Sequence, residues 1–309
     1  MKTLQNAWKI TWKNKILWIY GLILSISAGI FIFIDQIGDG SEKLNPAELK
    51  TLEDGMQAFA EKHWIGIIIA IIFSLIIFGF IIWASVISKI GLIHETGMAA
   101  KDDDKEPQNK VTNIKRGLKK GREKFWRVIG LEVLIAIVEF IVIIAIKYPL
   151  SVLCKNSVFV SPRLISLGLT VLILIPFILI FFSIQTFGVR KIIMDDKKIF
   201  SAISESYDLF IKFWRKITLT LILFISSIAI SGFLYTILCA ILLLPVAIIA
   251  LILAILIGVG YKGLSVGIFI FVIPAIPLCI FFAMMAMVFQ ESIWSVLYCE
   301  LKEKLIESK

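Results

Sequence analysis

Nearly uncharged apolar runs of about twenty residues recur six times along the chain, separated by segments where lysines, arginines and aromatics gather. A hydrocarbon core about 30 Å thick is crossed by roughly twenty apolar residues in a helix. No water is present there to satisfy peptide groups, so a spanning segment must close its own hydrogen bonds. The pattern predicts an all-α integral membrane fold with six transmembrane helices at 16–34, 65–87, 128–147, 164–189, 217–241 and 264–289. Alternating ten-residue segments, the mark of a membrane barrel, are absent. The first run leads into Asp35 and Gln36 rather than a small-residue cleavage site, so it is expected to be a retained span.

The polar intervals are patterned too. Val111, Ile114, Leu118 and Phe125 recur at helical spacing before the third span, and Ile199, Ile203, Tyr207, Phe210 and Trp214 do so before the fifth. Both patterns end in the same tetrapeptide, Lys124-Phe125-Trp126-Arg127 and Lys212-Phe213-Trp214-Arg215. A looser copy runs from Leu4, Trp8 and Trp12 to Lys15-Ile16-Leu17-Trp18. The sequence therefore predicts a single polytopic membrane domain of three repeats, about 1–95, 96–195 and 196–309, each an interfacial amphipathic helix plus a transmembrane hairpin.

Two other segments carry expectations. Residues 35–63, with seven acids against three lysines, form an extracytoplasmic loop with a short helix, opened by Asn45 as N-cap and Pro46 in the first turn. Residues 242–260 stay apolar past Pro245 and are expected to form a broken, re-entrant or interfacial helix, with a seventh crossing as the alternative. The acidic run Asp102-Asp103-Asp104 lacks the alternating ligands and glycine of a calcium loop and is read as solvated.

Charge adds an orientation. Of the 32 lysines and arginines, 25 fall on the side of the N-terminus and seven on the other. The positive-inside bias then places both termini in the cytoplasm, for a multi-pass protein of the cell (plasma) membrane. The net charge of +9 fits loops beside an anionic leaflet and gives no reason to expect nucleic acid. Trp8, Trp12, Trp18, Lys124, Trp126, Arg127, Lys212, Trp214 and Arg215 are candidate interfacial anchors, because indoles favour the headgroup level and basic groups pair with phosphates. Membrane lipids with anionic headgroups are the expected partners, with a protein partner or a second copy of the chain as further candidates.

Within the spans, two carboxylates stand clear of the ends. Glu132 and Glu139 are seven residues apart and share one helix face. Glu132 is expected to reach toward Arg127 or Lys124, and Glu139 to serve as a hydrogen-bonded carboxyl between helices. An intramembrane acid is also a candidate for ion coupling, with Gln185 among the polar neighbours. Pro176, Pro274 and Pro277 are candidate helix kinks. Neither His63 nor His94 has a companion at metal-ligand spacing, and Cys154, Cys239, Cys279 and Cys299 form no CxxC pair, so no metal or cofactor is expected. No phosphate loop or nucleophile elbow occurs, which argues against an enzyme.

The segment from Ala7-Trp8 to Leu17-Trp18-Ile19-Tyr20-Gly21-Leu22, the repeated Phe-Trp-Arg span starts and the stretch Tyr298-Cys299-Glu300-Leu301-Lys302 resemble uncharacterised bacterial polytopic proteins. These are similar to the membrane domain that precedes the catalytic barrel in some glycerophosphodiester phosphodiesterases. The resemblance implies a polytopic helical fold and supplies no catalytic residues; the barrel is missing from this sequence, so the phosphodiesterase activity is not carried over. The functional expectation is a non-enzymatic membrane module that organises lipids or a partner. The alternative is a transporter or permease with a path past Glu139.

Overall fold

The computed structural model describes residues 2–39, 46–101, 114–154, 162–257 and 261–307, and among these the chain is helical with no strand. The helices are α1 (Lys2–Lys13), α2 (Leu17–Asp39), α3 (Pro46–Lys101), α4 (Ile114–Cys154), α5 (Pro162–Asp195), α6 (Ile199–Ile257) and α7 (Tyr261–Glu307). Among the described residues, five segments are long and apolar enough to cross a membrane: Glu61–Lys101, Ile114–Pro149, Thr170–Asp195, Ile199–Val246 and Ala275–Glu307. Within α2, Leu17–Ile30 is a shorter apolar stretch.

The described residues bear on two expected element boundaries. Within α3, Pro46 opens the helix that falls inside 35–63, and non-helical dihedrals at His63 (φ −126°, ψ 25°) set it off from the span that follows. Asn45 lies outside the described residues, as does the acidic run at 102–104. The break expected in 242–260 is not seen as far as Ile257, because α6 continues through Pro245. Proline removes one backbone donor, and a helix otherwise satisfied along its length tolerates that loss. Likewise α5 runs through Pro176, and α7 through Pro274 and Pro277, without leaving the helix.

The other bend falls at Phe213 (φ −122°, ψ 22°), inside the repeated tetrapeptide. The amphipathic start of α6 turns into its apolar length there. Near the N-terminus, α1 and α2 are separated by a tight turn in which Leu17 N–H donates to Asn14 O at 2.9 Å. At the other copy of the tetrapeptide, α4 passes Phe125 within one helix.

The helices pack in a closed order. Each of α2 to α7 lies against its chain neighbours, and α7 returns to α2. The pairs α3–α7, α3–α5 and α5–α7 also touch, and α1 lies on α7 and α3. The buried side chains collect at one end of this assembly. Ile90, Leu92 and Ile93 of α3, Val128 and Leu131 of α4, Phe187 and Ile192 of α5, Leu209 of α6, and Trp294, Leu297 and Tyr298 of α7 are all at most 2% exposed. Further along the same helices the apolar side chains face outward, as with Phe73 at 63%, Phe140 at 65%, Leu172 at 66% and Phe233 at 68%.

Tyr20 is the tightest junction at the packed end. Its ring enters where α3 and α4 cross through Gly91 and Gly117, and its hydroxyl donates to Ile114 O at 3.0 Å. A Cβ on Gly91 would stand 2.8 Å from Tyr20 Cε1, and one on Gly117 would collide with the Tyr20 hydroxyl. We expect Gly117→Leu to destabilise the solubilised protein by about 1–3 kcal/mol through overpacking, and Tyr20→Phe by about 1 kcal/mol through the lost hydrogen bond. Gly29→Ala, whose Cβ would meet nothing within 4 Å, serves as the control. Thermal unfolding that ranks Gly29→Ala with Gly117→Leu would refute the junction.

Candidate functional site

The polar side chains of the packed end are joined across helices. On α3, Glu95 is fully buried and accepts from Arg116 of α4 through Nε at 3.0 Å and Nη2 at 2.7 Å, the two-pronged geometry that suits a guanidinium and a carboxylate. On α5, Arg190 is 2% exposed and donates through Nη2 to Glu291 Oε2 of α7 at 2.6 Å, and through Nη1 to Thr186 O at 2.8 Å. Its Nε is buried with no partner among the described residues. Lys216 of α6 donates to Glu300 of α7 at 2.6 Å, and Thr3 of α1 donates to the other oxygen of that carboxylate at 2.9 Å. Both ends of the chain are thereby fixed at one end of the bundle.

The turn between α5 and α6 gathers four helices. Asp195 ends α5 and accepts from Tyr298 and Lys302 of α7, the latter at 2.6 Å. Asp196 follows in a left-handed conformation (φ 57°), which a short polar side chain tolerates. Its carboxylate accepts from Lys124 and Arg127 of α4. Lys197 donates to Glu205 of α6 at 2.8 Å. The Lys124 ammonium bonded to Asp196, with Arg127 alongside, holds that carboxyl below the usual carboxylate range.

These pairings redirect several expected site residues. Glu132 does not reach toward Arg127 or Lys124; it accepts from Lys89 of α3 at 2.7 Å. Lys124 is 6% exposed and buried in its bond to Asp196, so it is not a free interfacial anchor. Arg127 spends its charge on the same carboxylate. Glu139 and Gln185 are both half-buried and make no hydrogen bond among the described residues, and the structure does not bring them together with Glu132. The hydrogen-bonded role expected of Glu139 is thus not seen there. Asp195, Asp196, Arg190, Glu291 and Glu95 were not singled out from sequence. The signal for Asp195 and Asp196 is two adjacent acids in a strongly basic interval.

Around this core runs a rim of exposed indoles beside bases. Trp126 is 79% exposed, Trp8 52%, Trp214 51% and Trp12 43%. Arg215 lies over Trp214 at 5.5 Å and Lys212 over Phe213 at 5.8 Å. Trp8, Trp12 and Trp18 form an edge-to-face chain with centroid spacings of 5.6 and 5.7 Å, and Trp18 Nε1 donates to Thr11 O at 2.9 Å. Below Trp8 a groove of about 570 Å³ is bounded by Leu4, Gln5, Trp8, Lys9, Ser227 and Phe289.

Two outcomes are expected of the polar core. Arg190→Met or Glu291→Leu alone strands a buried charge and should cost about 3–5 kcal/mol in unfolding, whereas Arg190→Met with Glu291→Leu should cost less than either single change. Additive costs in that double-mutant cycle would show the two groups to be independent. Asp196 has a lowered folded value, so its pairing contributes fully above its unfolded value of about 4 and fades as pH falls through the folded one. The difference in thermal stability between the parent and Asp196→Asn should therefore be flat from neutral pH to about 5 and shrink below that.

No protein-family model, curated protein or solved structure matches this chain.

Proposed function

We propose that the protein is a non-enzymatic multi-pass module of the plasma membrane that organises anionic lipids, or a protein partner held among them, through its interfacial helices. In this reading α2 is the first of six crossings and both termini are cytoplasmic. The closed packing order supports three repeats: α1–α2–α3, α4–α5 and α6–α7, with the returning helices α3, α5 and α7 on the inside.

One observation carries the reading. The exposed indoles Trp8, Trp12, Trp126 and Trp214 and the bases beside them share one end of the bundle, at the point where each unit enters its apolar length. Such groups gain most where headgroups meet acyl chains. A path past Glu139 draws no comparable support: its neighbours Ile137, Phe140 and Ile141 are 55%, 65% and 58% exposed, a face suited to lipid.

Native mass spectrometry of the purified chain should find anionic phospholipid retained over zwitterionic. The variant Trp126→Ala, Trp214→Ala, Arg215→Ala should lose several-fold of that retention at unchanged thermal stability. Equal retention of both lipid classes by the parent would refute the proposal. The orientation has its own test, since Lys105→Cys labelled by an impermeant maleimide from outside intact cells would invert it.

A further inference from the structure

We infer that the groove beneath α1 is a binding site for a single anionic phospholipid, its phosphate held by Lys9 and Gln5 and one acyl chain laid along Phe289 toward Ser227; this rests on the lipid reading above.

The argument begins with unbalanced charge. Lys89, Lys124, Lys191, Lys197, Lys216, Lys302, Arg116, Arg127 and Arg190 are each matched to a carboxylate on another element. In contrast α1 contains three lysines and no acid, and none of the three has an acidic partner among the described residues. Glu300, the acid that meets α1, is already taken by Lys216 and by Thr3. Helical spacing puts Lys2, Lys9 and Lys13 on the face opposite Ala7 and Thr11, which are buried against the bundle. Gln5, Trp8 and Trp12 form the edge between the two faces. The groove opens along this edge, so its mouth carries an unmatched cation and an amide.

The floor explains why the anion should be a lipid. Phe289 and Ser227 belong to the apolar lengths of α7 and α6. The Ser227 hydroxyl donates to Phe224 O at 2.8 Å, so it places no demand on an occupant. Trp8 stands edge-on to Phe289 at 5.6 Å and roofs the apolar part. A volume of about 570 Å³ lies within the range of about 300–1,000 Å³ usual for small-molecule sites. A soluble phosphate would fill the mouth alone and leave the apolar floor wet. A phospholipid satisfies both parts.

The test uses the full chain, stripped of lipid in detergent and then titrated with phosphatidylglycerol, phosphatidylcholine or glycerol 3-phosphate, with bound species counted by native mass spectrometry. The parent should hold one phosphatidylglycerol in preference to phosphatidylcholine. Lys9→Gln should cut that preference about fivefold, the equivalent of the roughly 1 kcal/mol a lysine gains beside an anionic surface. Lys9→Arg should retain it, and Ser227→Trp should exclude both lipids from this site. Glycerol 3-phosphate should not displace the bound lipid; displacement would mark a soluble-anion site and overturn the inference. A preference unchanged in both Lys9→Gln and Ser227→Trp would also overturn it while leaving the wider lipid reading intact. Absence of any preference in the parent would remove the wider reading as well.

Discussion

Apolar surface gives helices in a bilayer little reason to associate, because acyl chains solvate it as well as another helix does. The chain is held together by what lipid cannot replace: charges paired across helices and backbones brought close at glycine. Arg190 with Glu291 and Arg116 with Glu95 each place a charged group at 2% exposure or less against a partner on another helix. Pairing of this kind does more for specificity of contact than for net stability, since desolvation offsets much of the attraction. Buried Phe187, Trp294 and Leu297 then fill the space that the pairs define. The far lengths of α3 and α6, where the most apolar stretches have no buried residue, depend on this end for their relative placement.

The ion pairs and the exposed aromatic rim divide the basic residues between two places. Lys124 and Trp126 are two positions apart, yet one is 6% exposed and the other 79%. On a helix that offset turns a side chain to nearly the opposite face. The tetrapeptide therefore sends one base inward to Asp196 and one indole outward. In α6 the same tetrapeptide bends the helix at Phe213 instead, and Lys212 and Arg215 lie over the rings of Phe213 and Trp214. The same four residues are thus used for closure in α4 and for the exposed rim in α6.

The apolar lengths of α3 to α7 were legible because each exceeds what a soluble core helix needs, and no context reverses that signal. Pairings were not. Lys89 with Glu132 and Lys216 with Glu300 join residues 43 and 84 positions apart, and nothing local in either sequence names the other. Two of the bends carry no mark in the sequence. Proline at 176 and 245 stays inside helix, while His63 and Phe213, with no special backbone chemistry, carry the non-helical dihedrals. Tertiary context sets those angles, as the polar start of a helix turns into its apolar length. Tyr20-Gly21 carries no local signal, because the seating of the ring against Gly91 and Gly117 needs three helices at once.

The Asp195–Asp196 turn shows how these constraints combine. The C-terminus of a helix carries partial negative charge, so a carboxylate there is disfavoured by about 0.3–1 kcal/mol when exposed. Asp195 is the last residue of α5 and is placed against that field. It is accommodated because Tyr298 and Lys302 of the parallel α7 approach from the side. Asp196, just past the helix, takes a left-handed conformation that turns the chain at once into α6 and aims its carboxylate at α4. A glycine would make the same turn more easily but would leave Lys124 buried without an acid, and a lysine would suit the dipole but repel Lys124 and Arg127. Two aspartates are locally unfavourable and globally required, which is why neither propensity nor hydropathy marks them.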